Sequence, residues 1–178
     1  MNTSGTSFGM YAYSGSAYAT AVRNFDSPLS VGQTFSLQLG VNFRNGNKGV
    51  DINDSSLTGL FNFNVGANDY QVNASTLGLI YAADSIFTLS FEQKSGTMIG
   101  VTITRQTAAF GTETAFNSDL DFGAVMDNFK LYVSGTDDVS SQNNLYFNNL
   151  QVVPEPSTYA MLLGALALGI AVTRRKHH

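Results

Sequence analysis

Between Thr34 and Phe43 apolar and polar residues take turns: Phe35, Leu37, Leu39, Val41 and Phe43 alternate with small or polar neighbours. Successive side chains of an extended chain point to opposite faces. A period of two therefore puts all five on one side of a strand, and that side demands an apolar cover. Weaker versions recur at Phe8–Tyr13, Leu60–Val65, Tyr70–Ala74, Phe87–Phe91, Ile99–Ile103, Phe129–Val133 and Leu145–Val152. Turn-forming clusters lie between them, among them Asn45-Gly46-Asn47, Gly66-Ala67-Asn68-Asp69 and Ser134-Gly135-Thr136-Asp137. No stretch of residues 1–152 holds a 3.6-residue period, and Asp119–Asn128 is the one place left for a short helical turn. About nine short strands joined by turns predict an all-β body over residues 1–152, a β-sandwich or jelly roll.

Charge is sparse. Charged residues make up 12% of the 178, about half the usual share, and Ser, Thr, Asn and Gly supply the polar surface. Residues 1–153 carry six Lys and Arg against twelve Asp and Glu, whereas residues 154–178 carry three against one. The body is thus acidic and has no basic field for nucleic acid. There is no cysteine, which excludes disulfides and thiolate chemistry. The only histidines are His177 and His178. The body therefore has no imidazole for a catalytic triad, a general base or a metal site.

The end of the chain obeys different rules. Two prolines in Val153-Pro154-Glu155-Pro156-Ser157 cannot join a strand ladder and end the body. An uncharged run, Tyr159–Val172, follows, and Arg174-Arg175-Lys176 closes it. Within the run, Tyr159, Leu162, Leu163, Leu166, Leu168, Ile170 and Val172 supply apolar bulk, and Gly164 and Gly169 lower helix propensity. As a helix the run is about 21 Å long against a hydrocarbon core of roughly 30 Å, a short transmembrane span. The basic cluster holds its own end in the cytoplasm, leaving the body outside. A buried core helix and an ordinary tail anchor are the plainer fates of such a run. A core helix would not normally be apolar all round and end in a basic cluster.

A Pro-Glu-Pro triplet, a short apolar helix and a basic end, in that order at the C-terminus, resemble the PEP-CTERM sorting signal, here residues 153–178. The resemblance implies an exported protein of a Gram-negative bacterium that makes exopolysaccharide, often as biofilm. It implies recognition by exosortase, a membrane-embedded processing enzyme that removes the helix. It further implies a transient stay in the inner membrane, then release or attachment at the cell surface or extracellular matrix. The segments Ser7–Ala12, Leu29–Phe35 and Leu145–Leu150 also resemble jelly-roll domains found ahead of such tails. Met1–Gly9 has neither the basic nor the apolar region of a signal peptide. An exported chain is expected to carry one upstream of Met1; otherwise the tail is a relic.

Candidate chemistry in the body is thin. Glu92 and Glu113 are its only glutamates, and paired carboxylates are what glycoside hydrolysis needs. Asp119 and Asp121 would share a face if extended, though a polar loop explains them as well. Asp51, Asn53 and Asp54 gather oxygen ligands in an expected loop and are the first choice for calcium, although Asp and Asn also favour turns on their own account. Tyr11, Tyr13, Tyr18 and Tyr70 are candidate platforms for sugar rings, in a chain without tryptophan. Sequons at Asn2, Asn53 and Asn73 are expected by chance in so Asn-, Ser- and Thr-rich a chain. The leading reading is a non-enzymatic surface or matrix protein. The second is a lectin-like carbohydrate-binding module, with or without calcium, and the third a polysaccharide-active jelly-roll enzyme.

Overall fold

A computed structural model describes residues 7–12, 17–135 and 143–153, and in it the alternation becomes two six-stranded sheets. The strands are β1 (Phe8–Met10), β2 (Tyr18–Asn24), β3 (Thr34–Val41), β4 (Asn47–Asn53), β5 (Gly59–Gly66), β6 (Tyr70–Val72), β7 (Ser75–Thr76), β8 (Ser85–Gln93), β9 (Met98–Thr107), β10 (Gly111–Asp121), β11 (Asn128–Ser134) and β12 (Leu145–Val153). Sheet one runs β1-β12-β3-β8-β9-β10 and sheet two β2-β11-β4-β5-β6-β7. All neighbours are antiparallel. Two meanders, β4 to β7 and β8 to β10, supply five of the ten ladders, and the remaining connections cross between sheets.

No α-helix occurs among the described residues. The expected helical turn at Asp119–Asn128 is not formed. Asp119–Asp121 finish β10 and Asn128 opens β11, because Asp119 pairs with Gly100 and Asp121 with Met98 in an edge ladder that tolerates polar residues. Val153, the first residue of the sorting segment as read from sequence, is the last residue of β12 and pairs with Thr34. The segment from Pro154 onward, with the apolar run Tyr159–Val172 and Arg174-Arg175-Lys176, lies outside the described residues.

The core is the set of inward residues. Phe35, Leu37, Leu39 and Val41 of β3 are buried, and so are Val50, Ile52, Phe61, Phe63 and Val65 on the facing sheet. Phenylalanines bridge the sheets: Phe35–Phe129 at 5.1 Å, Phe61–Phe91 at 5.2 Å and Phe63–Phe87 at 4.9 Å between centroids. Such pairs add about 0.5–1.5 kcal/mol beyond their buried area. Phe43, the last apolar residue of the alternating run, is 38% exposed, since β3 stops at Val41 and the chain turns.

Two cations enter the sandwich at the end opposite Val153. Arg105, 1% exposed, donates through Nε to Glu113 Oε1 at 2.8 Å and through Nη1 to the Ile80 carbonyl at 2.7 Å, and its guanidinium lies 5.2 Å from the Tyr70 ring. Lys48 is fully buried and donates to the carbonyls of Asn143 at 2.7 Å and Phe43 at 3.0 Å. It takes no carboxylate among the described residues.

Burial disfavours the ammonium of Lys48 and lowers its pKa to about 8, from 10.5. With the folded value below the unfolded one, the penalty is fully present below pH 8 and is relieved as the pH rises. Stability should therefore increase by about 2 kcal/mol from pH 8 to pH 10. Urea denaturation across that window checks this. Lys48→Met should flatten the rise, and a midpoint that falls from pH 8 to pH 10 in the native sequence would contradict it.

Candidate functional site

The outer face of sheet two carries polar residues in register. On β4 the inward positions are Lys48, Val50 and Ile52, which leaves Asn47, Gly49 and Asp51 facing out. Antiparallel pairing aligns Lys130, Asp51 and Asn62 in one row, and Tyr132, Gly49, Asn64 and Gln71 in the next. Gly49 leaves a gap in the middle. The Tyr132 phenol crosses β4 there and its oxygen reaches the amides of Asn62 and Asn64 on β5.

These side chains form one hydrogen-bonded relay. Lys130 Nζ lies 2.6 Å from Asp51 Oδ2. Asn62 Nδ2 donates to Asp51 Oδ1 at 2.6 Å and to the Tyr132 hydroxyl at 2.9 Å. That hydroxyl donates to Asn64 Oδ1 at 3.0 Å. Asn64 Nδ2 donates to Asn47 Oδ1 and Gln71 Oε1, each at 3.1 Å. A carboxylate only accepts, so Asp51 fixes the direction of every later step. The amide nitrogens of Asn47 and Gln71 are left pointing away from the relay. The bond to Asp51 raises the pKa of Lys130, and burial raises that of Tyr132, so both keep their protons at neutral pH.

Above the relay lies a depression of about 430 Å³, walled by Tyr18, Asn47, Asp51, Asn62, Asn64, Gln71, Tyr132 and Ser134 among others. A second of about 400 Å³ continues over the turns at Asn45–Asn47 and Gly66–Asp69 and shares Asn47 and Gln71 with the first. Tyr18, on edge strand β2, is 61% exposed. A mixed hollow of about 280 Å³ lies between the sheets, walled by Phe25, Phe35, Phe129 and Val152 and by Arg23, Asp26 and Gln151.

The residues singled out from sequence are dispersed or already engaged. Asp51 and Asn53 stand in strand β4 and not in a loop, because the neighbouring Lys48, Val50 and Ile52 are core residues. Asn53 Nδ2 is bonded to Asn128 Oδ1 at 2.8 Å. Asp54 Oδ1 caps a turn by accepting from Ser56 N and Thr58 N, both at 2.8 Å. The three calcium candidates thus serve separate sets of bonds, and no cluster of three or more His, Cys, Asp or Glu occurs among the described residues. Glu113 pairs with Arg105 and Asp119 with Lys94 at 2.7 Å. Asp121 is held ionised by bonds from Thr97 and the Gly123 backbone. Tyr70 is buried in the core, Tyr11 is exposed beyond β1, and Tyr13 lies outside the described residues.

The relay itself escapes sequence reading. Asn62, Asn64 and Gln71 are ordinary polar positions of alternating strands, and Tyr132 reads as strand propensity. The one usable signal is the spacing Asn62-x-Asn64 on the solvent side of β5, which becomes a row only once β11 and β4 are paired beside it.

A Cβ placed on Gly49 would sit 1.9 Å from the Phe63 carbonyl oxygen and 3.1 Å from the Tyr132 hydroxyl. Gly49→Ala should open the ladder between β4 and β5 and cost about 2–4 kcal/mol, read by urea denaturation. An alanine variant as stable as the native chain would contradict so close an approach.

No curated protein matches the chain in sequence. Among solved structures, the sandwich is similar to a toad ovary galectin in complex with thio-digalactose (11% identity, 76% of this chain and 98% of that one, TM-score 0.38). It is similar to chicken galectin 2 (10% identity, 76% and 100%, TM-score 0.44) and to a polysaccharide lyase of family 18 (10% identity, 84% and 88%, TM-score 0.41). These are likenesses of architecture. At its other end the sequence matches the model of the PEP-CTERM protein-sorting motif over residues 152–176. The chain therefore carries a PEP-CTERM sorting motif behind a two-sheet β-sandwich, and the motif implies export and sorting to the cell surface through a membrane processing enzyme.

Proposed function

We propose that the chain is a non-catalytic surface or matrix protein whose sandwich binds exopolysaccharide outside the cell, in a biofilm or comparable matrix. The carrying observation is the relay from Asp51 to Gln71 beneath a shallow open depression. Sugar rings present hydroxyls that both donate and accept, and a fixed array of amides, a phenol and a carboxylate matches them. The exposed Tyr18 ring adds an apolar surface for C–H groups. A non-catalytic role is supported by the carboxylates Asp51, Glu113 and Asp119, each already paired with a cation.

Full chain in a zwitterionic detergent, applied to immobilised glycans, tests this. At least one polysaccharide should be retained, and a double Asn62→Ala, Gln71→Ala variant should bind at least tenfold more weakly with an unchanged circular dichroism spectrum. A body that binds no glycan would refute the reading.

Sorting supplies the place for that binding. In this reading Tyr159–Val172 halts in the inner membrane, Arg174, Arg175 and Lys176 stay in the cytoplasm, and exosortase acts near Pro154-Glu155-Pro156. A span of about 21 Å fits a core of roughly 30 Å poorly, which suits a temporary stop. The intact mass of the protein recovered outside the cytoplasm of an exosortase-bearing host should correspond to a chain ending near Pro156. Recovery of full-length protein with His178 in place would make the tail a plain anchor.

A further inference from the structure

We infer that the ligand of this face is an uncharged polysaccharide, bound as an extended chain, and that Asp51 is the positioning residue that selects it. The inference rests on the glycan-binding reading above. Lys130 and Asp51 pair at 2.6 Å, so the relay presents no free cation to a ligand, and the charged group lining the neighbouring depression is a carboxylate, Asp69, whose Oδ1 accepts from the Tyr70 backbone N–H. The surrounding body is acidic, with twelve Asp and Glu against six Lys and Arg over residues 1–153. A polyanion such as a uronic-acid polymer meets repulsion at long range and no cation on arrival.

What the face does offer is directional and neutral. Because Asp51 takes one amide hydrogen of Asn62, the relay runs outward and leaves amide donors at Asn47 and Gln71 and an acceptor at Asn62 Oδ1. Hydroxyl groups answer both kinds of site without bringing charge. Asn47 and Gln71 line both depressions, so a ligand seated on the relay continues onto the turns. That continuity suits several linked sugar units more than one isolated ring.

The closing experiment uses the full chain against soluble neutral polymers (a β-glucan, a galactomannan, a dextran) and acidic ones (alginate, polygalacturonate), at 20 and 500 mM NaCl. Binding to a neutral polymer is expected, with affinity changed less than about twofold by salt, since no ion pair forms between protein and ligand. Asp51→Asn should weaken that binding about tenfold and, by leaving Lys130 unpaired, create salt-sensitive retention of alginate. A residue that served only to hold the fold would produce no such switch of class. Salt-sensitive binding of acidic polymers by the native chain would overturn this inference and leave the glycan reading standing. Neutral binding untouched by Asp51→Asn would remove Asp51 from the selection. Binding to no polymer would overturn both readings.

Discussion

Three phenylalanine contacts across the interior hold one sheet on the other: Phe35 with Phe129, Phe61 with Phe91 and Phe63 with Phe87. The chain has no cysteine, and the described residues contain no helix to cover a sheet face. Closure therefore depends on apolar burial between the sheets. A buried phenylalanine that loses its ring costs about 3–5 kcal/mol, a large part of a domain's stability. Since inward positions carry this task, the alternating outward positions are free of it. That freedom lets sheet two hold a row of amides, a phenol and an ion pair on its solvent side with no loss to the core.

The sequence was most legible where one face is buried and the other wet. β3 shows every inward residue as apolar, and its start at Thr34 is visible in the pattern. β4, Asn-Lys-Gly-Val-Asp-Ile-Asn, is a central strand whose inward row begins with Lys48. A buried lysine reads as a loop residue until two carbonyls are brought to its ammonium by Phe43 and Asn143, five and ninety-five positions away in the chain. β2 and β10 are edge strands, exposed or half-exposed for most of their length, so neither has the apolar row that marks a strand. The relay was hidden for a related reason. Its members come from four strands, and only pairing sets Tyr132 beside the gap at Gly49.

The two buried cations, Arg105 and Lys48, share one end of the sandwich with the half-buried Arg44. Arg105 and Arg44 flank Tyr70, with guanidinium carbons 5.2 and 5.3 Å from the ring centroid. Lys48 joins the loops that follow β3 and precede β12. Removing one partner of a buried charge costs more than the pair contributes. Glu113, opposite Arg105 in the β9–β10 ladder, is thus bound to a structural duty. The same holds for Asp51, whose pairing to Lys130 leaves its second oxygen to orient Asn62. Carboxylates that look available in the sequence are largely committed in the fold.

The position of the relay also bears on how the proposed binding face and the sorting motif share one small sandwich. β12 leads to the motif and ends at Val153 beside Thr34, at the end of the sandwich where Asn53, Gly59 and Asn128 also lie. Asn47, Gly66 and Ser134, which border the depressions, lie at the opposite end, where Leu145 meets Val41. Seven residue steps along β3, which β12 follows past a bulge after Asn148, separate the two ends, about 23 Å at the rise of an extended chain. The sorting motif therefore begins at the end remote from the depressions. A cut beyond Val153 would leave every described ladder and every member of the relay in place. The relay is built on β4, β5, β6 and β11, none of which the sorting motif enters.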